Sequence, residues 1–495
     1  MKDKQVPMKQ KASSLMGRGS RHRDRQLQPW WNSAQLGLLL LPMSPLLGGV
    51  GLLVAMVGTW KQRYRDIHRR WVNRGFAILA VWLAIATGFS ADPSVALLGL
   101  FNFLPFFAFF AAFSLLIQTP AQMRRIAWIA VATSVPVVII GLGQLFWGWS
   151  GPVKLWPILY WQLEATGTPP GRMASVFAYA NVLASYFLIT FILGLGLWFE
   201  TARGWRKLTQ RPKQTEKVRD PRDPRVVKSI DVNATGQEGK VSEQLIFLSV
   251  ALLGNGYALL LTNSRNGWAI AAIAVLAFAL YHGWRLLVAG FLAVLSMILG
   301  SAFAPEPLQS WLRAIVPSYF WMRLSDELFP ERHVATLRTT QWQFAWDMTR
   351  DRPLTGWGLR TFTDLYEAQT QVWMGHPHNL FLMLAAETGI PATLLLSGLV
   401  GWVLAKAVVL LWIWRDNTPE NHRDIPGDFH EITDDKLIFF TYLVAFGACI
   451  LFHLLDVTLF DSRVNILGWL LLAAICGVTY RQPSFKSLGR AFGYE

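Results

Sequence analysis

Residues Ile126 to Trp147 read IAWIAVATSVPVVIIGLGQLFW, 22 positions without one Asp, Glu, Lys or Arg. At about 1.5 Å per residue such a run is long enough, as a helix, to cross a hydrocarbon core of about 30 Å. Comparable apolar runs lie at 36–59, 72–90, 94–118, 174–199, 244–262, 267–281, 286–304, 379–413, 437–459 and 464–480. The chain of 495 residues is 53% hydrophobic and only 16% charged, with a mean hydropathy of +0.32, which excludes a soluble globular enzyme. The formal charge of +15 does not call for nucleic acid, because the Lys and Arg fall in short segments between apolar runs, as the positive-inside rule requires. Cys449 and Cys476 both sit inside apolar runs without metal-ligand spacing, and read as helix-packing residues.

Residues 1 to about 30 hold eight Lys/Arg against two Asp, and Lys61 to Arg74 hold six Lys/Arg and one Asp, so both flanks of the 36–59 run favour the cytoplasm. A single crossing cannot satisfy both. Pro42, Pro45, Gly48, Gly49 and Gly51 break the run, which therefore reads as a hairpin of two short or tilted helices returning to one face. The expectation is an all-α polytopic membrane protein with about 12 transmembrane helices and both termini cytoplasmic. That topology places about 34 Lys/Arg inside, 11 outside and Lys406 within a span.

The expected organisation is a basic cytoplasmic tail at 1–35, a transmembrane bundle at 36–304 with a flexible cytoplasmic loop at 200–243, an external loop at 305–378, a second bundle at 379–480 and a cytoplasmic tail at 481–495. The external loop is too long for a passive connection and contains seven Arg and eight Asp/Glu. Within it Val334, Leu337, Trp342, Ala345, Trp346 and Met348 have helical apolar spacing and predict a short amphipathic helix near the interface, closed by the turn residues Asp351 to Gly358.

Three spots place polar side chains at the external boundary: Gly171-Arg172, Asn263-Ser264-Arg265-Asn266-Gly267, and His376-Pro377-His378-Asn379. Paired Arg forks suit pyrophosphate oxygens, in charge-assisted bonds of roughly 1.5–3 kcal/mol each. A His beside them suits a general base acting on an incoming hydroxyl. Each also has a plainer reading: Arg172 or Arg265 as an interfacial anchor, Ser264 and Asn266 as helix caps, His378-Asn379 as a helix start. Near the end of the chain His453 and Asp456, three apart, predict a shared helix face at membrane depth, and Arg463 has Asp461 or Asp456 as a partner.

Asn263-Ser264-Arg265-Asn266-Gly267-Trp268, and His378-Asn379-Leu380 through Glu387-Thr388-Gly389-Ile390, resemble signature segments of the O-antigen ligase and O-antigen polymerase superfamily. The family's pattern of His, a polar residue, nine residues, Gly, two residues, Gly and Ser/Thr is met by His378, Asn379, Gly389 and Thr393, with Ala392 in place of the second Gly. Gly171-Arg172 through Ala184, and Arg338 with Trp342 followed by Arg352 to Gly358, extend the likeness over roughly residues 170–400.

The resemblance implies an inner (plasma) membrane glycosyltransferase, of ligase or polymerase type, that takes a glycan from undecaprenyl pyrophosphate or another polyprenyl-pyrophosphate donor to a lipid or glycan acceptor. Neither metal nor cofactor is implied, and no external segment carries an Asp-x-Asp motif. Carried over by position, His378 is the base and Arg172, Arg265 and Arg338 hold the pyrophosphate. Asn379, Ser264, His376, His453, Asp456 and Arg463 are supporting candidates. The last two spans are also similar to a branch labelled as inorganic-carbon (bicarbonate) transporters, which implies small-anion transport as the alternative, with His453 and Asp456 coupling protons.

Overall fold

The computed structural model describes residues 19, 21–155, 158–210, 215–220, 223–231, 235–325, 333–414 and 434–481, without the side chains of 211–237 and 323. The outer parts of both expected tails lie outside the described residues. Helices in chain order are α1 (Gln28–Leu40), α2 (Pro45–Arg69), α3 (Trp71–Gly88), α4 (Pro93–Leu100), α5 (Leu104–Leu116), α6 (Pro120–Trp147), α7 (Ala180–Thr209), α8 (Thr235–Leu261), α9 (Arg265–Tyr281), α10 (Arg285–Phe303), α11 (Leu308–Ile315), α12 (Ser318–Leu324), α13 (Arg338–Asp351), α14 (Thr361–Thr370), α15 (Leu380–Ile413), α16 (Asp435–His453) and α17 (Ser462–Arg481). Every apolar run contains helix, with non-helical backbone at 41–44, 101–103, 174–179 and 454–459. Among the described residues nine helices, with α4 and α5 taken together, are long and apolar enough to cross a membrane, which makes this a multi-pass membrane protein. The twelve expected spans correspond to these nine plus α1, α2 and α9; α1 and α9 are short, and α2 is charged from Lys61 onward.

Pro42 and Pro45 do break the first run. Leu41 to Ser44 turn the chain, and α1 and α2 lie antiparallel: Ser33 Oγ donates to the Gly51 carbonyl at 2.7 Å and Trp30 lies over Gly58. A Cβ on Gly51 would stand 2.8 Å from the Gly37 Cα, so small residues let the two backbones approach, the usual packing device inside a membrane. Residues 28–35, grouped with the tail from their position ahead of the apolar run, form the start of α1, with Trp31 fully buried. Two small antiparallel hairpins depart from the all-α expectation. β1 (Gly151–Leu155) pairs with β2 (Leu159–Leu163) in the 148–173 loop, and β3 (Thr215–Asp220) pairs with β4 (Asp223–Asp231). Helix α7 continues to Thr209 and α8 begins at Thr235, so the 200–243 connector is shorter than its composition suggests. At its start, α7 begins at Ala180 rather than 174, because 174–179 take irregular backbone with Ser175 at φ 50°.

One end of the bundle is tied by ion pairs. Arg124 of α6 and Glu200 of α7, both buried, form a two-point bridge of 2.7 and 2.6 Å, and Arg124 also reaches Asp435 at 3.0 Å. Arg203 bonds Asp434 and the His282 ring there, and Arg70 donates to Ser114. Burying a carboxylate costs several kcal/mol unless its partner is well placed, and the bidentate fork supplies that.

The opposite end carries a small helical cap made by the 305–377 loop. Helix α13 forms where the apolar spacing predicts it, and Ala345, Met348, Phe362 and Tyr366 close a separate core over the start of α15. This cap is locked onto α15 by a break in that helix. Gly389 has φ 82° and ψ 164°, and the freed backbone pairs with the 353–358 strip: Trp357 N–H donates to Ala386 at 2.9 Å, Gly358 N–H to Glu387 at 2.9 Å and Ile390 N–H to Pro353 at 2.8 Å. A Cβ at Gly389 would lie 2.1 Å from the Leu354 carbonyl oxygen, and one at Gly356 2.4 Å from the Glu387 carbonyl carbon. Gly389→Ala is therefore expected to undock the strip, with about 1–3 kcal/mol lost through the backbone conformation alone. The melting temperature of the detergent-solubilised variant checks this; a value equal to wild type would show the break to be dispensable.

Candidate functional site

Between α14 and α15 the chain runs through His376, His378 and Asn379, and between α16 and α17 through Leu454 to Asp461; these two turns meet at the capped end. Asn379 caps α15, accepting from Phe381 and Leu382 N–H at 3.0 Å, and its amide donates to the Leu454 carbonyl at 3.1 Å. Ser264 caps α9 through Gly267 N–H, while Asn266 donates to the Leu455 carbonyl at 3.3 Å. The capping readings of Ser264 and Asn379 thus describe what these side chains do, and the bonds from Asn379 and Asn266 draw their segments together.

Asp456, 4% exposed, is the centre of the assembly. Its Oδ2 accepts from the Asn181 amide at 2.6 Å and its Oδ1 from Val457 N–H at 2.8 Å, with His376 Nε2 at 3.6 Å. Arg172 donates to Asn181 Oδ1 and, through Nε, to the Thr262 carbonyl at 2.8 Å. An arginine just ahead of α7 is thereby tied through an amide to a carboxylate nearly 300 residues later. A spacing of three predicts one helix face for His453 and Asp456; instead α16 ends at His453, and Asp456 belongs to the turn that follows. His453 bonds the Cys449 carbonyl at 2.8 Å and faces Thr458, and Arg463 pairs with Asp461 at 2.7 Å, so both hold the turn from behind rather than line the cleft.

The hydrogen bonds assign the imidazole tautomers. Gln341 of α13 directs its amide NH2 toward the Ala335 and Thr336 carbonyls, so its Oε1 faces His378 Nδ1 at 2.8 Å and must accept. His378 Nδ1 therefore carries the proton and Nε2 keeps the lone pair. His378 N–H donates to His376 Nδ1 at 3.2 Å, which leaves the His376 proton on Nε2, toward Asp456. Burial pushes His376 down to about 4; Asp456 opposes that shift while His378, Arg338 and His453 add to it. His378 is likewise lowered, first by burial and then by Arg338, with Asp456 again opposing. Both rings are neutral at pH 7. His378 holds φ 53°, a left-handed conformation that side chains rarely adopt and that is concentrated at functional sites.

These residues line a cleft of about 770 Å³ with Asn181, Tyr179, Arg360, Asp364, Trp373 and Phe460. Of the three arginines read as pyrophosphate ligands, Arg172 adjoins the cleft through Asn181, and Arg338 lies at the start of α13 where its charge acts on both histidines. Arg265, at the first position of α9, is exposed beside the segment that bonds Leu455 and is not among the residues lining the cleft. Arg360 lines it instead, also left-handed at φ 68°. Buried Glu387 anchors that turn by accepting from Phe362 N–H at 3.3 Å and from the Arg360 backbone. No spacing rule marks Arg360, because its place follows from the break at Gly389. The same holds for Gln341 and Asn181, polar residues within helical segments whose partners are remote in sequence. His376, His378 and Asp456 each offer a ligand atom within 4.8 Å of the others, a donor set compatible with a metal ion, although no ligand spacing along the chain points to one.

No curated protein matches the chain. Residues 248–397, 150 of the 495, match the family model described as O-antigen ligase, a segment that runs from α8 into α15 and contains Arg265, Arg338, Gln341, Arg360, His376 and His378, while Arg172, Asn181 and Asp456 lie outside it. Over that segment the chain is similar to the O-antigen ligase family.

Proposed function

We propose that the protein transfers a glycan from a polyprenyl-pyrophosphate donor to an acceptor hydroxyl. His378 Nε2 takes the proton as the acceptor oxygen attacks the anomeric carbon. The bond from that carbon to the pyrophosphate oxygen breaks, and the polyprenyl pyrophosphate leaves with the bonding pair. Arg172, Arg338 and Arg360 supply positive charge for the leaving oxygens, so no acid has to protonate them. Arg265 serves better as an outer contact for the incoming donor. The observation that carries the reading is the unprotonated Nε2 of a neutral His378, held by Gln341 on a cleft to which the O-antigen ligase segment contributes both histidines and Arg360.

In this reading the cleft faces the outside of the plasma membrane, which the basic clusters around Arg63, Arg70, Arg203 and Arg481 at the other end support. Nothing among the described residues favours the bicarbonate reading. Purified protein in lipid vesicles, supplied with a radiolabelled polyprenyl-pyrophosphate glycan and a hydroxyl acceptor, should move label from lipid to acceptor. Uptake of labelled bicarbonate without such movement would overturn the assignment.

A further inference from the structure

At the end of the bundle opposite the cleft, the residues just ahead of α1, grouped by sequence with the basic tail, are docked onto the helices. The Gly19 carbonyl accepts from Trp31 Nε1 at 2.7 Å, and a Cβ on Gly19 would stand 2.2 Å from the Ala121 carbonyl oxygen. His22 is 7% exposed; its Nε2 bonds the Leu116 carbonyl at 3.0 Å, and Asp24 N–H donates to its Nδ1 at 3.0 Å. Asp24 in turn pairs with Arg63, the residue at which α2 departs from helical geometry (φ −122°, ψ 24°) with neither Pro nor Gly there to break it. A topology signal needs only charge, so the fixing of this basic segment calls for another reason. The segment walls one side of a polar cavity of about 280 Å³, completed by α2, the end of α5 and the last residue of α17. Arg23, Arg63 and Arg481 line it together with Asp24 and Asp66. Both carboxylates are engaged by Arg63, Asp66 at 3.5 Å, and Arg481 donates to the neutral Gln118 amide. Among the described residues neither Arg23 nor Arg481 pairs with a carboxylate, and the charge of Arg23 acts on Arg481. Two like charges thus border one open polar space, an arrangement that an entering anion stabilises.

We propose that this cavity holds the phosphate of an anionic phospholipid from the leaflet opposite the cleft, which bridges Arg23 on the arm to Arg481 on α17. The site goes beyond glycan transfer and does not depend on it. Depth in the membrane favours a lipid as the source. Helices α5 and α17 both belong to apolar spans and both end here, at Leu116 and Arg481, so the cavity lies at the membrane surface, where Leu27 and Leu115 give its wall an apolar margin. Charge favours a phosphodiester, whose single negative charge matches the excess of three arginines over two carboxylates. A dianionic free phosphate overshoots that excess, and a phosphocholine brings a further cation among the arginines. Arginine forks hold phosphate oxygens in pairs, and basic pockets between membrane spans suit anionic headgroups.

The test is native mass spectrometry of the full-length protein in detergent, stripped of lipid and titrated with phosphatidylglycerol. A tightly held lipid molecule is expected, with its dissociation constant raised roughly tenfold or more in Arg23→Gln by the loss of a charge-assisted contact. Arg481→Gln should act in the same direction; should it assemble poorly, the exposed Arg23 has no packing to lose and still decides the matter. Arg25→Gln is the control, because Arg25 is an exposed arginine of the same arm that does not line the cavity, and it should leave the constant unchanged. An equal loss in Arg25→Gln would reveal a diffuse attraction of the arm for anionic lipid, and displacement by inorganic phosphate at the same concentration would reveal a soluble occupant. Phosphatidylcholine held as firmly would show that charge is not selected. Each of these results overturns the proposal, as does an unchanged constant in folded Arg23→Gln.

Discussion

His378→Ala is expected to lower kcat for glycan transfer by about 10²–10⁴-fold, the usual contribution of a positioned general base, with little change in KM for the donor. The fold should survive, because the ring is only partly buried and its side-chain bond is to Gln341. The pH profile separates a base from a mere contact. Burial, reinforced by the charge of Arg338, holds the imidazole below its ordinary value of about 6.5, so the free base dominates at neutral pH. Activity should therefore be full near pH 7 and fall as pH drops through that lowered value, which puts the acid limb below 6.5. In the Ala variant the limb should disappear and the residual rate should be flat over the same range. A variant that transfers glycan at the wild-type rate, or a wild-type limb above 6.5, would remove His378 from the chemistry.

The membrane-spanning fold is legible in the sequence because bilayer thickness sets a minimum length for a span, and most of the eleven apolar runs reach it, 267–281 (α9) being the short exception. Even the hairpin can be read, from prolines and glycines set between two basic flanks. The cap is legible only as far as α13, whose spacing is periodic. What seats it, the pairing of 353–358 with the broken turn at Gly389, depends on backbone groups that carry no side-chain signature. The site shows the same division. His378, Arg172 and Arg338 stand out because Arg and His are scarce on a predicted external face, and the segments that contain them do meet at one end of the bundle. Arg265 has equal claim by type and position but is exposed at the rim, since the N-terminus of a helix fixes where the backbone starts and not where a long side chain leads. Asp456 is singled out by spacing for the wrong reason. Spacing puts it on a helix with His453, whereas the helix ends first, and it is that ending which frees Asp456 to turn toward His376 and Asn181. Arg360 and Gln341 are out of reach of the sequence, because their roles are set by contacts between segments that no periodicity links.

Asp456→Asn should lower kcat about 10- to 100-fold, the equivalent in rate of losing a charge-assisted contact of roughly 1.5–3 kcal/mol. The carboxylate is the negative charge that acts on both histidines, and it raises the proton affinity of each against burial and against Arg338. Without it both values fall further, so the acid limb of the transfer reaction must move to lower pH while the plateau drops, since a weaker base removes the acceptor proton less readily. The amide also presents an NH2 where Asn181 already donates at 2.6 Å, and Asn181 cannot turn to accept without giving up Arg172. The variant thus loosens the tie from Arg172 to the cleft as well as the charge, and KM for the pyrophosphate donor should rise with the fall in kcat. If Asp456 served only to hold the turn between α16 and α17, the substitution would lower the melting temperature and the yield but leave the limb of the remaining activity in place. A limb that stays put, or shifts upward, would therefore show that the carboxylate does not act on the histidines and that the relay from Arg172 to His376 has no part in transfer.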